Sequence, residues 1–197
     1  MSRLKKSLAD LMAVLAKYHP EWECQAPLSG LEEPSVAKLR DALPIESEEL
    51  IELVSLYDFQ CCDLFPFFVP INPNEYASKI SKLIEIFDDA NSIFDESFHG
   101  WTSSTLESCK IDASWRSYWI PIGQDNANYV FVDMDPSPSG IRGQIVEAHE
   151  DGKYLSVIAS SFSHLLDRIS NSVKSGDTVD SGYGGLYVAR IDSHYTD

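Results

Sequence analysis

The apolar period of this chain changes once along its length, and that change constrains the fold more than any motif does. Before the middle of the chain, apolar residues recur at helical spacing. Leu4, Leu8, Leu11, Val14 and Leu15 make one stripe, and Pro20 follows where a first helix should already have ended. "QAPLSGLEEPSVAKLRDALP" reads as a turn leading into a short helix capped by Ser35, with Leu39 and Leu43 inward. "SEELIELVSLYDF" predicts a third helix starting near Pro44 and Ser47, with Leu50, Leu53, Val54 and Tyr57 on its inner face. Its acids come early, where the helix dipole favours them. Prolines interrupt "CCDLFPFFVPINPNE", and "YASKISKLIEIFDDA" then predicts a further helix with Ile80, Leu83, Ile84 and Phe87 inward. Residues 91–114, rich in Ser and Asp, read as an irregular insertion.

From Trp115 the pattern becomes extended. "SYWIPIG", "NYVFVDMD" and "GQIVEAHE" are each bounded by Gly, Pro, Asn or Asp and predict an antiparallel sheet. "YLSVIAS" predicts a fourth strand. Ser160 or Ser161 then caps a helix striped by Phe162, Leu165, Leu166, Ile169 and Val173. Helices, then strands, then a helix indicate an α+β domain with helices packed against one sheet face. Residues 1–25 are expected to form a helix packed on the domain, 26–175 the domain itself, and 176–197 a polar, glycine-rich tail in which "LYVARI" supplies an edge strand.

A chain of 197 residues is long enough to bury roughly two thirds of its unfolded surface in one core, so it needs no covalent staples. Cys24, Cys61, Cys62 and Cys109 lack the paired spacing of a zinc or thioredoxin-like site and read as reduced, mostly buried thiols. The basic start of the N-terminal segment resembles that of a signal peptide. Asp10 and Lys17, however, leave too short an apolar run, so a cytoplasmic protein with no membrane span is expected.

Chemistry-bearing motifs are sparse. Asp133 and Asp135, two apart on a strand, share a face as paired carboxylates would, but no third ligand accompanies them. Val130, Val132 and Met134 take the opposite, core-like face, which places the acids on the exposed side or in the turn "DPSPSG". His149, between Glu147 and Glu150, lies at a hairpin end and reads as a surface residue. His19, His99, His164 and His194 fall in no nucleophile motif, and no serine sits in a G-x-S-x-G elbow. "GYGG" at 182–185 lacks the residues of a phosphate loop and reads as a turn. Trp115, Tyr118 and Trp119 read as core anchors rather than a binding platform. No catalytic, metal or cofactor site is expected.

Charge is the exception to this plain reading. The chain carries 31 acidic against 15 basic residues, a formal net charge of -16. Such a surface repels phosphates and anionic lipid and favours a basic protein partner, so neither nucleic acid nor membrane is expected to bind. Residues 86–151 hold twelve acids against only Lys110, Arg116 and Arg142, which concentrates more than half of the excess there. Within that span Asp125, Asp133, Asp135, Glu147, Glu150 and Asp151 are the candidate partner contacts.

Four elements in order resemble the SMI1/KNR4 family of the SUKH superfamily. They are "LP" at Leu43 and Pro44 before a Leu-rich helix, "WIPIG" at 119–123, "VDMDPSPSGIRGQIV" at 132–146, and "VIASSFSHLLDRI" at 157–169. "APLSG" is similar to the family's entry segment, and the likeness spans about residues 26–175. "QDNANY" and "YDFQ" stand where the family usually has glycine-containing turns.

The resemblance implies an α+β fold with a curved, mostly antiparallel sheet flanked by helices, and no catalytic residues. Bacterial members of this kind are commonly immunity proteins that neutralise polymorphic toxins, often nucleases; fungal relatives are regulatory scaffolds of cell-wall synthesis. Lacking the long disordered flanks of the fungal form, the chain looks more like the compact bacterial kind. The resemblance therefore implies a toxin domain as partner, and the charge implies that this partner is basic.

Overall fold

The computed structural model describes residues 1–18, 30–43, 45–56, 108–109, 118–125, 128–149, 155–176, 178–180 and 186–188. Outside them lie the expected proline-rich loop and the helix at 76–90, nearly all of the 91–114 insertion, Trp115, the "GYGG" turn, and every cysteine except Cys109.

Four helices and a four-stranded antiparallel sheet make the described architecture an α+β fold. Helix α1 (Arg3–Tyr18) buries Leu4, Leu8, Leu11, Val14 and Leu15, the stripe that its spacing predicts. Helix α2 (Glu33–Ala42) buries Val36 and Leu39. It begins earlier than expected, because its N-cap is Glu32, without a side-chain cap bond, and Ser35 lies inside the first turn. Pro34 is the reason: proline's fixed φ and missing N–H suit the first helical turn, so the helix starts ahead of it. Helix α3 (Glu48–Leu56) buries Leu50, Ile51, Leu53 and Val54. The Ser47 hydroxyl accepts from the Leu50 amide at 3.4 Å at its start.

Strands β1 (Trp119–Asp125), β2 (Asn128–Asp133), β3 (Gln144–His149) and β4 (Leu155–Ala159) pair in sequence order, each antiparallel to the next. The ladder is irregular between Pro121 and Gly123 and between Ile145 and Val146. Helix α4 (Phe162–Ser175) follows β4 directly. Ser161 is its N-cap, accepting from the His164 amide at 3.2 Å, and Gly176 ends it at φ 78°, a left-handed position that suits glycine. In the tail, "LYVARI" supplies a strand, β6 (Leu186–Val188), which pairs with β5 (Thr178–Asp180) in a separate two-stranded sheet. Adjacent strands joined by a short connection find each other more readily than a distant edge.

The main core joins Leu4, Leu8, Leu11, Leu39, Leu50 and Leu53 of the helices to Ile120, Val130, Val132 and Ile145 of the sheet, closed by Phe162, Leu165 and Leu166 of α4. Each leucine buried there contributes roughly 1.5–3 kcal/mol. Helix α4 packs on β3 and β4, and α1 lies chiefly against α4 and also touches α3. The exposed Arg3–Asp167 ion pair at 3.6 Å joins α1 to α4 and adds about 1 kcal/mol at most. A second, smaller cluster covers the opposite face of the sheet. There Trp119 stacks on Phe131, ring centroids 4.2 Å apart, with Val146 and Cys109 alongside.

Candidate functional site

Two covered faces change the meaning of the aspartate pair. Val130, Phe131, Val132 and Asp133 of β2 are all buried, so alternation along this strand does not separate a wet face from a dry one. Asp133 has 0% of its surface exposed, which overturns the expectation that it lies on an exposed face. Opposite it in register stand Trp119 on β1 and Gln144 on β3. One carboxylate oxygen accepts from Gln144 Nε2 at 3.0 Å and the other from the Asp135 amide at 3.2 Å. Burial holds the Asp133 carboxyl above its ordinary carboxylate pKa, against the lowering effect of the Gln144 and Asp135 bonds.

Gln144 extends this node. Its Nε2 also donates to the Ser108 carbonyl at 3.0 Å and lies 3.5 Å from Cys109 Sγ. Its Oε1 accepts from the Ile141 amide at 3.1 Å, and its own amide donates to the Ile141 carbonyl at 2.9 Å. The Ser108 carbonyl further accepts from the Ser137 amide at 3.2 Å, so residues 108–109 are fastened beneath the turn between β2 and β3. Gly140 is required in that turn because a Cβ there would stand 2.1 Å from the Ser108 carbonyl oxygen. Arg142 is exposed, yet its guanidinium donates back to the Met134 carbonyl.

Asp135 is half-buried at the start of the same turn. Glu147 is also half-buried, but it stands opposite Val130, on the helix-covered side of the sheet and beside the middle of β2. Asp125, paired with Asn128, ends β1 beside the end of β2 away from Asp133. Glu150 and Asp151 lie outside the described residues. Of the four candidate acids within the described residues, Asp133 and Asp135 thus stand at one end of β2, Glu147 beside its middle and Asp125 beside its other end.

Sequence reading did not single out Gln144, Ile141 or Glu49. The signal for Ile141 was present, as the lone aliphatic residue in the polar run "DPSPSGIRG". Gln144 gave none, because a glutamine on a strand is ordinarily solvated. Glu49 on α3 accepts from the Phe162 and Ser163 amides at 2.9 and 3.1 Å and from the Ser163 hydroxyl at 2.7 Å, so it caps α4 from a helix more than a hundred residues away.

Among the described residues no group of three His, Cys, Asp or Glu is placed to hold a metal ion, and no helix is long and apolar enough to cross a membrane. His164 Nδ1 lies 3.1 Å from the Ser160 hydroxyl and accepts from the Ser160 amide at 3.2 Å. This pair serves the start of α4 in the manner of a capping box. Trp119, fully packed against Phe131, is a core anchor as its position leading a strand predicts.

Compared with protein families, residues 43–168 match the model described as SMI1 / KNR4 family (SUKH-1). The match runs from the end of α2 into α4 and includes all four strands of the main sheet. No curated protein matches the chain.

Proposed function

Since the chain belongs to the SMI1/KNR4 family (SUKH-1), we propose that it is a non-enzymatic binding protein, an immunity protein that neutralises a bacterial toxin domain by occluding it. The observation that carries this reading is the family match across the sheet and its flanking helices. The net charge of -16 supports a basic partner, such as a nuclease domain, whose own surface must attract phosphate. A toxin of that kind acts on nucleic acid inside the cell, so the proposed place of action is the cytoplasm.

Direct contact is not assigned to an acid that the fold buries completely. Asp133 is therefore left out, and Asp135, Glu147, Asp125, Glu150 and Asp151 are retained. Charge reversal at Asp133 would report on folding, because it would leave a buried cation facing the amide donors of Gln144 and Asp135.

The test is capture of the tagged chain from its native cells at low and high salt, followed by co-expression with whichever protein is recovered. One dominant basic partner, weakened by salt and toxic unless this chain is present, is the expected result. Several partners, or a partner whose expression is harmless, would replace the reading with a regulatory scaffold like the fungal members.

A further inference from the structure

Among the described residues, the groups that meet the buried Asp133 carboxyl are donors. Gln144 Nε2 donates to one of its oxygens and the Asp135 amide to the other, and the Trp119 indole N–H, which can only donate, also favours the charged form. A carboxylate suits all three. A protonated carboxyl does not, because its O–H needs an acceptor and none of these groups presents one as it stands. Gln144 can supply that acceptor by rotating its terminal amide through half a turn, which puts Oε1 where Nε2 was. The rotation takes Nε2 away from the Ser108 carbonyl and Cys109 Sγ. It also sets an NH2 group against the Ile141 amide, which now donates to Oε1 at 3.1 Å. Gln144 is buried, so water does not replace the lost partners, and one proton on Asp133 is felt by groups that Asp133 does not touch.

We propose that Asp133 and Gln144 form a proton-operated latch. While the carboxylate is charged, Gln144 holds Ser108 with Nε2 and Ile141 with Oε1; when the carboxyl takes up a proton, the amide turns over, releases both, and loosens the β2–β3 turn above residues 108–109. Other bonds of the turn do not pass through that amide: the Ser137 amide stays on the Ser108 carbonyl and the Gly143 amide on the Asp133 carbonyl. The charged group of the described residues that faces the carboxyl is Asp135, whose like charge disfavours ionisation. Arg142, the cation of the turn, is exposed and donates to the Met134 carbonyl. Strands β1 and β3 bring the uncharged Trp119 and Gln144, and residues 108–109 bring the Cys109 thiol against Gln144. Burial opposes the charge more than the donors favour it and holds the carboxyl above the ordinary carboxylate range, so the latch opens at a higher pH than an ordinary carboxylate would permit. The latch does not depend on what the chain binds.

The test is an NMR titration of the isotope-labelled full chain from about pH 7.5 down to about pH 4, with amide exchange measured at each end and expressed as protection factors. The Asp133 carboxyl carbon and the Gln144 side-chain amide should shift with one common midpoint. Protection of the Ile141 amide should fall about three- to tenfold on the acid side, as loss of one hydrogen bond predicts, while that of Gly143 changes by less than about twofold. Asp133→Asn, which has no proton to take up, should show the same Ile141 protection at both ends. The wild-type titration is decisive by itself where that variant does not fold. Gln144 resonances that stay flat through the Asp133 midpoint overturn the latch, as does an Asp133 carboxyl that does not titrate while the chain is folded. Equal loss of protection at Ile141 and Gly143 also overturns it, because the whole turn is then opening without selection by Gln144. Wild-type pH dependence retained in folded Asp133→Asn assigns the switch to another group and overturns the proposal.

Discussion

Asp133 shows how one residue can carry the wrong chemistry in sequence and the right structural role in the fold. Its carboxylate accepts from Gln144 and from the Asp135 amide at once, a task that a neutral amide with one acceptor oxygen cannot perform. Asp133→Asn is therefore expected to lower stability by about 1–3 kcal/mol at neutral pH, read from urea unfolding midpoints. The pH dependence has a definite sign. Because burial raises the folded-state pKa, the native protein holds this proton more tightly than the unfolded chain does. Stability from this group is thus full below the ordinary carboxylate pKa and declines as pH rises through the raised one. The stability gap between wild type and Asp133→Asn should narrow from about pH 4 to about pH 7. A gap that widens would show that the carboxylate is favoured, not disfavoured, by its site. The exposed reading of Asp133 came from alternation with Val130, Val132 and Met134, yet the unbroken run from Tyr129 to Val132 is the pattern of a strand buried on both sides.

At the scale of elements, the stripes of α1, α3 and α4 were legible because each helix has one apolar face and the period is regular. Caps were legible only where they are local. Ser161, adjacent to its helix, was among the expected caps; Ser35 was misplaced because Pro34 permits an earlier start; Glu49 was invisible because its partners are distant in sequence. The same distinction governs the candidate site, where the turn residues could be named but the Gln144 contact with Ser108, which holds the turn from below, could not. Glu49→Ala is expected to destabilise the protein by about 1–3 kcal/mol, since two α4 amides and a hydroxyl lose a charged acceptor. Ser161→Ala should cost about 1 kcal/mol. The double variant should depart from the sum of the two, because both groups serve one helix start. Strict additivity in chemical denaturation would mean that the two caps act independently.

For the whole molecule, the decisive quantities are its charge and the distribution of that charge. A formal charge of -16 produces a long-range field whatever the position of any single acid. Steering depends on the summed field, whereas affinity depends on local contacts. Association with the captured partner should therefore slow by about tenfold or more between low and physiological salt, while dissociation changes much less, as stopped-flow mixing would show. A salt effect confined to dissociation would place the important charges inside the contact instead.

The packing of α1 on α4 also has a consequence for synthesis on the ribosome. The leucine stripe of α1 emerges well before its main cover, which arrives only with residues 162–175. At roughly 5–20 residues per second, the stripe waits about ten to thirty seconds without that partner. During that interval a nascent chain of this protein offers chaperones an amphipathic helix, and translation that stops before α4 leaves the helix without its main partner.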